Sequence, residues 1–310
     1  MARVRGKPVH GWVNLDKPSG VSSAKAVAIV RRVFDAAKAG HGGTLDPLAS
    51  GVLPIALGEA TKTVSHIMGK NKSYEFSLAW GDETSTDDTE GELTRQSDIR
   101  PSDDDIDRAL AQFQGVIEQV PPNFSAIKIA GARAYDLARQ VGAGQPLPAL
   151  KPRKVRINQF WRLDSDRAGA SFFVGCGKGA YIRALARDLG RALGSAAHVT
   201  SLRRMSVGQF HANHSISLDF LEKLTHSATA FEHLHPVLSA LDDIPALPIS
   251  RAEATKLRHG QKLPALSASA QQRFAILTTG SAAIAIEGQT PVALVMVKAG
   301  TLCPVRVLNL

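Results

Sequence analysis

The clearest periodic signal in the 310-residue chain lies at Tyr74, Phe76, Leu78 and Trp80, which alternate with Glu75, Ser77 and Ala79. That period of two predicts a strand with one buried face. Helical spacing appears earlier, at Val27, Val30, Val33 and Phe34, with Ser22 and Ser23 placed to cap the first turn. Ser102 with Asp105 three residues on resembles a capping box before Ile106, Leu110 and Phe113. Farther along, Ser171–Val174 reads as a strand, Gly175–Gly179 as a glycine-rich turn, and Tyr181–Leu193 as a helix with Ile182, Leu185 and Leu189 facing inward. A polar, histidine-containing helical stretch is expected from Leu218 to Leu241. After Asp242-Asp243-Ile244-Pro245, short β-like runs such as Phe274–Leu277 and Val292–Val297 take over. Strands and helices alternate without the regular beat of a doubly wound sheet, so the expected class is α+β with a mainly antiparallel mixed sheet. Two domains are expected, residues 1–243 and a smaller β-rich one over 244–310.

Composition narrows the partners. The chain is 44% hydrophobic and 21% charged, a folded globular mixture throughout. No apolar run approaches the roughly 18 residues that span a bilayer, and the basic start is followed by no signal-peptide core, so the reading is cytoplasmic with no membrane partner. Cys176 and Cys303 form no CxxC pair, and each is expected as a buried thiol. The net charge is +9 with 37 Lys and Arg against 28 Asp and Glu. Between Asp82 and Asp107 stand 11 of the acids and only Arg95 and Arg100, which leaves 35 bases against 17 acids elsewhere. A basic body with one acidic segment, which can sit away from the phosphates, suits a polyanion such as nucleic acid.

The most unusual stretch is Gly40-His41-Gly42-Gly43-Thr44-Leu45-Asp46-Pro47-Leu48-Ala49-Ser50-Gly51-Val52-Leu53-Pro54. Its glycines and prolines make a loop, while the apolar residues that follow should enter the core, so His41 and Asp46 sit on a constrained turn. Pro47 biases Asp46 away from helical geometry. Taken alone, Asp46 reads either as a turn cap or as a catalytic carboxylate. Arg183 falls in the first turn of its predicted helix, where the dipole disfavours a cation, and calls for a buried aspartate or a phosphate. Arg187 and Arg191 continue the same stripe at i+4 and i+8 and read as an exposed basic face. Lys178 is followed by Gly179, so Gly175–Gly179 is no Walker A loop. The His211/His214 and His233/His235 pairs lack further ligands, and no GxSxG elbow is present, so neither a metal nor a serine hydrolase is expected. The strip Lys151-Pro152-Arg153-Lys154-Val155-Arg156, preceded by Arg133 and Arg139, reads as a nucleic-acid backbone contact or as a solvated strand.

Together these pieces resemble the TruB family of bacterial tRNA pseudouridine-55 synthases. The resemblance is carried by Leu15-Asp16-Lys17-Pro18-Ser19-Gly20, the Gly40–Pro54 block, Leu57-Gly58-Glu59-Ala60-Thr61-Lys62, Lys72-Ser73-Tyr74, Gly81 with Thr84, Thr86, Asp88 and Gly91, Gln119–Lys128, Gly131–Arg139 and Lys178–Arg183, in the family's order. The end of the chain resembles a PUA-type RNA-binding domain less sharply. The resemblance implies a pseudouridine synthase fold and a cofactor-free isomerisation of uridine to pseudouridine in the TΨC arm of tRNA, by a single chain with no obligate protein partner. It makes Asp46 the catalytic aspartate, as nucleophile or as base and stabiliser on a glycal path, with Arg183 paired to it. Tyr74 would stack on the flipped uracil, His41 where displaced nucleotides were, and Leu202 would line the pocket. Lys17, Lys62, Arg153 and Lys154 would meet RNA phosphates. Phe124 stands where the family usually has Tyr, and Ala180 where Thr would offer an N-cap. The alternative functions are a tRNA-folding protein that opens the elbow without chemistry and a guided synthase of the dyskerin type.

Overall fold

The computed structural model describes residues 6–124, 128–129, 132–133, 150–264 and 279–310; Arg139 and the Phe274–Leu277 run lie outside them. The strands used below are β1 (Gly11–Lys17), β2 (Ala39–His41), β3 (Ser50–Leu57), β4 (Lys72–Trp80), β5 (Asp82–Thr84), β6 (Leu93–Gln96), β7 (Gly115–Gln119), β8 (Arg153–Ser165), β9 (Gly169–Cys176), β10 (Ala197–Val207) and β11 (Ile216–Ser217). The C-terminal ones are β12 (Ala246–Pro248), β13 (Leu263–Pro264), β14 (Ala282–Glu287), β15 (Thr290–Lys298) and β16 (Thr301–Val307). Helices are α1 (Ser23–Val33), α2 (Asp103–Leu110), α3 (Ile182–Ala192), α4 (Leu218–Lys223) and α5 (Arg251–Arg258). The chain divides into two units: Met1–Asp46, Leu53–Met68 and Gln209–Leu310 form the first, and Pro47–Val52 with Gly69–Gly208 form the second.

In the second unit the strands run in the order β10-β4-β9-β8-β7, all antiparallel, and the first residues of β3 add a parallel edge through Ser50 and Gly51 against Arg203 and Arg204. The sheet is mixed and mainly antiparallel, as the pattern predicts. Tyr74, Phe76, Leu78 and Trp80 are buried, while Glu75 on the other face is exposed. Phe76 stacks on Phe172 at 5.3 Å, and Phe160 lies 5.5 Å from Phe172, so aromatic side chains of three neighbouring strands form the centre of this core. The glycine-rich turn starts later than its composition implies. Gly175 and Cys176 still pair with Ser73 and Lys72, and the chain leaves the sheet only at Gly177.

In the first unit, Ser22 accepts from the Lys25 amide and starts α1 at Ser23. β1 pairs in parallel with β11, and β2 pairs antiparallel with β3. The expected helix over 218–241 is broken into α4 and two short 3₁₀ turns, Ala228–His233 and Val237–Ala240. The reason is local: His226 takes a left-handed φ of 64°, and Ser227 restarts a turn by accepting from the Thr229 amide. The C-terminal segment forms a five-stranded sheet in the order β12-β14-β15-β16-β13 with its own core of Leu247, Leu257, Val292, Val295 and Leu302. A complete capping box of Ser250 and Glu253 begins α5 against it. Cys176 is buried, but Cys303 is only half-buried. No helix among the described residues is long and apolar enough to cross a membrane.

Candidate active site

The turn that carries Asp46 is clamped at two points. The Ser23 hydroxyl donates to the Leu45 carbonyl at 2.8 Å and accepts from the Leu45 amide at 2.9 Å, so both polar groups of the residue before Asp46 are held by one buried side chain of α1. Four residues earlier the Gly42 amide donates to the Pro54 carbonyl at 2.7 Å. A Cβ at Gly42 would stand 2.5 Å from Ile67 Cγ2, which is why this position is glycine. Asp46 itself is half-buried, and His41 is half-buried at the end of β2, opposite Ile55.

Two lysines expected at phosphates are engaged elsewhere. Lys17 is 0% exposed, and its ammonium donates to the Pro18 and Val21 carbonyls at 2.8 and 2.6 Å. It therefore organises the turn into α1 from inside, and the reading of Lys17 as a surface phosphate contact is corrected. Lys62 donates to Glu59 at 2.6 Å and to the Val307 carbonyl of β16 at 2.8 Å, and Glu59 also accepts from the Asn309 amide. Burial works to raise the Glu59 carboxyl, yet Lys62 and the Asn309 amide together hold it below the usual range.

In the second unit the arginine stripe of α3 meets the acidic segment. Arg183 is 4% exposed and donates to the Thr86 and Phe124 carbonyls at 2.7 and 3.0 Å, with Asp88 Oδ2 3.5 Å from its Nη1. The call for a buried anion near Arg183 is met here by Asp88. One turn on, Arg187 pairs with Asp87 at 2.8 Å and donates to the Val120 carbonyl. Arg191 grips Glu83 through two nitrogens, and Arg95 reaches the same carboxylate. The expectation of an exposed face fails for Arg187, which is 8% exposed, and holds for Arg191, whose side chain is 54% exposed; all three arginines of the i, i+4, i+8 stripe nonetheless pair, as a ladder, with acids of the chain itself. Three acids of the acidic segment, Glu83, Asp87 and Asp88, are buried here.

Charge balance differs along the ladder. Burial pushes the Asp87 carboxyl up to about 6 despite Arg187 and Arg183, whereas for Glu83 the opposing Arg191 and Arg95 outweigh burial and hold it low. At the start of α3 no side chain among the described residues caps the helix in the usual way, as Ala180 implies. Gln119 substitutes: it accepts from the Tyr181 amide at 2.8 Å and donates to the Tyr181 carbonyl at 3.0 Å. Phe124 contributes through its backbone carbonyl, so a lost tyrosine hydroxyl leaves that contact unaffected.

Tyr74 is 7% exposed, between Val174 and Arg204 in the neighbouring strands, and Leu202 sits opposite Phe76 on the same sheet. Arg204, which nothing in the pattern singled out, is 1% exposed and donates from Nε to the Val52 carbonyl at 2.7 Å. Gly51 has φ +99°, and a Cβ there would lie 2.2 Å from the Arg204 carbonyl, so β3 can approach β10 only without a side chain. Burial and the nearby Arg204 lower the Lys72 amine to about 8. Arg153 and Lys154 are exposed on β8, opposite Gln119 and Glu118. Among the described residues no group of three or more His, Cys, Asp or Glu could hold a metal ion.

Two family models match, one described as "TruB family pseudouridylate synthase (N terminal domain)" over residues 31–182 and one as "tRNA pseudouridylate synthase B C-terminal domain" over 183–244. Relatives named tRNA pseudouridine synthase B from Caulobacter sp. (strain K31) and Rhodospirillum rubrum are each 47% identical, over 99% of this chain and 99% of their own. Among solved structures, one titled as the archaeal box H/ACA sRNP Nop10-Cbf5 complex shares the fold, with a TM-score of 0.71 at 24% identity over 96% of this chain and 85% of that one. With a clamped aspartate turn inside the matched region and full-length likeness at nearly half identity, the chain belongs to the TruB family of pseudouridylate synthases.

Proposed function

We propose that this enzyme converts uridine to pseudouridine at position 55 in the TΨC loop of tRNA, acting as a single chain in the cytoplasm without metal or cofactor. The observation that carries the reading is the Asp46 turn, pinned by Ser23 and Gly42 within a chain that is alike over its whole length to proteins named tRNA pseudouridine synthase B.

The chemistry asks for little beyond a positioned carboxylate. The N1–C1′ bond breaks with its electron pair going to the uracil, the base turns, C5 bonds to C1′, the C5 proton leaves and N1 gains one. Asp46 acts on the ribose, either by attacking C1′ and departing when C5 arrives, or by taking the C2′ proton along a glycal path. Arg183 pairs with Asp46 and orients it. The hold that Asp88, Thr86 and Phe124 keep on that guanidinium supports a fixed cation in this role. Tyr74 stacks on the uracil, and Leu202 lines the apolar side of the pocket.

The uridine has to leave its stack, which costs roughly a few kcal/mol. His41 offsets part of this by stacking where nucleotides were displaced, a contact worth about 1–3 kcal/mol. Arg153 and Lys154, both exposed, meet the RNA backbone, and residues 244–310 form a separate PUA-like RNA-binding domain.

The test is incubation of the protein with an unmodified tRNA transcript, with pseudouridine mapped by position and Asp46→Asn as control. Product at the single TΨC-loop uridine is expected, slowed by more than about a thousand-fold in the variant while RNA binding is kept. Product at other uridines, or an active Asp46→Asn protein, would sink the reading; binding without product from the parent protein would favour a tRNA-folding role.

A further inference from the structure

The first unit holds a cavity of about 380 Å³ that the reaction above does not use. It lies beside β1 and α4 and is walled by Asn14, His214, Phe220, His233 and His235, with residues 213–217 completing it. No carboxylate, ammonium or guanidinium lines it among the described residues. Burial and the neighbouring His233 hold the His235 imidazole below its usual range, which keeps that ring neutral at neutral pH. Its histidines belong to no group of three or more that could hold a metal ion among the described residues, and a wall of amide and ring groups suits a neutral, flat, polar ligand.

Asn14 says what that ligand must bring. The residue is 2% exposed, and its Nδ2 donates to the His211 carbonyl at 2.9 Å, which settles which end of the amide is which. Its Oδ1, also buried, accepts from nothing among the described residues. A buried carbonyl left in this state is the exception in proteins and is satisfied by an incoming N–H or O–H. The rings supply the second requirement. Phe220, 50% exposed, stands edge-on to His233 at 6.1 Å, and His235 is edge-on to Phe210 at 6.1 Å, so rigid aromatic surface borders the cavity.

We propose that this cavity binds an unpaired nucleobase, which stacks on Phe220 with its edge toward His233 and donates one N–H to Asn14 Oδ1. A base with its ribose fits the volume, and a stacked base with a single hydrogen bond uses each unusual feature of the wall. The site is separate from the Asp46 turn and takes no part in bond cleavage; it would seat a second nucleotide of a bound RNA.

The full-length protein, labelled at histidine, is titrated with adenosine and then with N6,N6-dimethyladenosine, which keeps the ring but loses the exocyclic N–H. Adenosine is expected to move the His233 and His235 ring signals saturably, and the dimethyl compound to bind at least about tenfold more weakly. Phe220→Ala, at an exposed ring, should weaken adenosine about tenfold by removing a stacking surface. Absence of a saturable shift at millimolar adenosine, equal binding of the two nucleosides, or unchanged affinity in Phe220→Ala would each overturn the proposal, and none of these readouts depends on the uridine-55 assignment.

Discussion

Two basic stripes in this protein look alike in sequence and differ in what surrounds them. Arg183, Arg187 and Arg191 on α3 face Asp88, Asp87 and Glu83, and the first two arginines are almost wholly buried. Arg153, Lys154 and Arg156 at the start of β8 are exposed, with Glu118 opposite Lys154 as the nearest acid in the pairing register. The difference lies in desolvation. A buried guanidinium must be matched by an anion and by carbonyls that use its remaining donors, and Arg187 has Asp87, Asp188 and the Val120 carbonyl. An exposed one keeps its water and stays available to a phosphate. Position in the fold, and not residue type, separates a structural cation from one left free to meet a phosphate.

Cutting one rung of the ladder should show the largest effect. Arg187→Met leaves Asp87 buried without its partner and is expected to cost about 3–5 kcal/mol of stability by urea unfolding. The double change Arg187→Met with Asp87→Leu removes both charges and should return most of that loss. A single variant costing under about 1 kcal/mol would mean that the rung is a surface pair after all.

Asp87 supplies a pH test of the same point. Its carboxyl sits at about 6 in the folded protein against an ordinary 3.8, because burial favours the neutral acid. The native state therefore binds a proton more readily than the unfolded chain, and this contribution is fully present below about pH 4 and lost as pH rises through about 6. At about 1.4 kcal/mol per unit the amount is about 3 kcal/mol. Glu83, held low, contributes in the opposite direction, so the quantity to read is the difference between the parent protein and Asp87→Asn. That difference should slope between about pH 4 and 6 and be flat above about 7; a flat difference throughout would place Asp87 at an ordinary pKa.

The smallest effect on stability belongs to the exposed stripe. Arg153→Ala with Lys154→Ala should change unfolding free energy by less than about 0.5 kcal/mol. Binding to tRNA should weaken, and the slope of log affinity against log salt should fall by about 1–2. An unchanged slope would remove β8 from the RNA-binding surface.

Much of the secondary structure was legible because it rests on short-range rules. Alternation at 74–80, the Ser22 and Ser102 caps and the inward positions of α3 all follow from the pleat of a strand or the pitch of a helix. The stretch 218–241 misled because polar, helix-tolerant composition does not reveal a left-handed residue such as His226. Asp46 stood out through the glycines and prolines around it, whereas nothing local to Asp87, Asp88, Gln119 or Arg204 names the group each one holds. Their partners lie 62 to 152 positions away: Arg187 for Asp87, Arg183 for Asp88, Tyr181 for Gln119 and Val52 for Arg204.

The chain by itself determined its family, its mainly antiparallel class, the constrained turn at Asp46 and a basic balance suited to RNA, since each depends on residue type and spacing along a few neighbouring positions. Only the tertiary structure decided which cations are consumed internally. Arg187 turned inward and Arg153 and Lys154 outward because burial is a property of the packed surroundings: Arg187 receives its acid and carbonyl from distant segments, whereas the buried Lys17 is held by the Pro18 and Val21 carbonyls of its own turn.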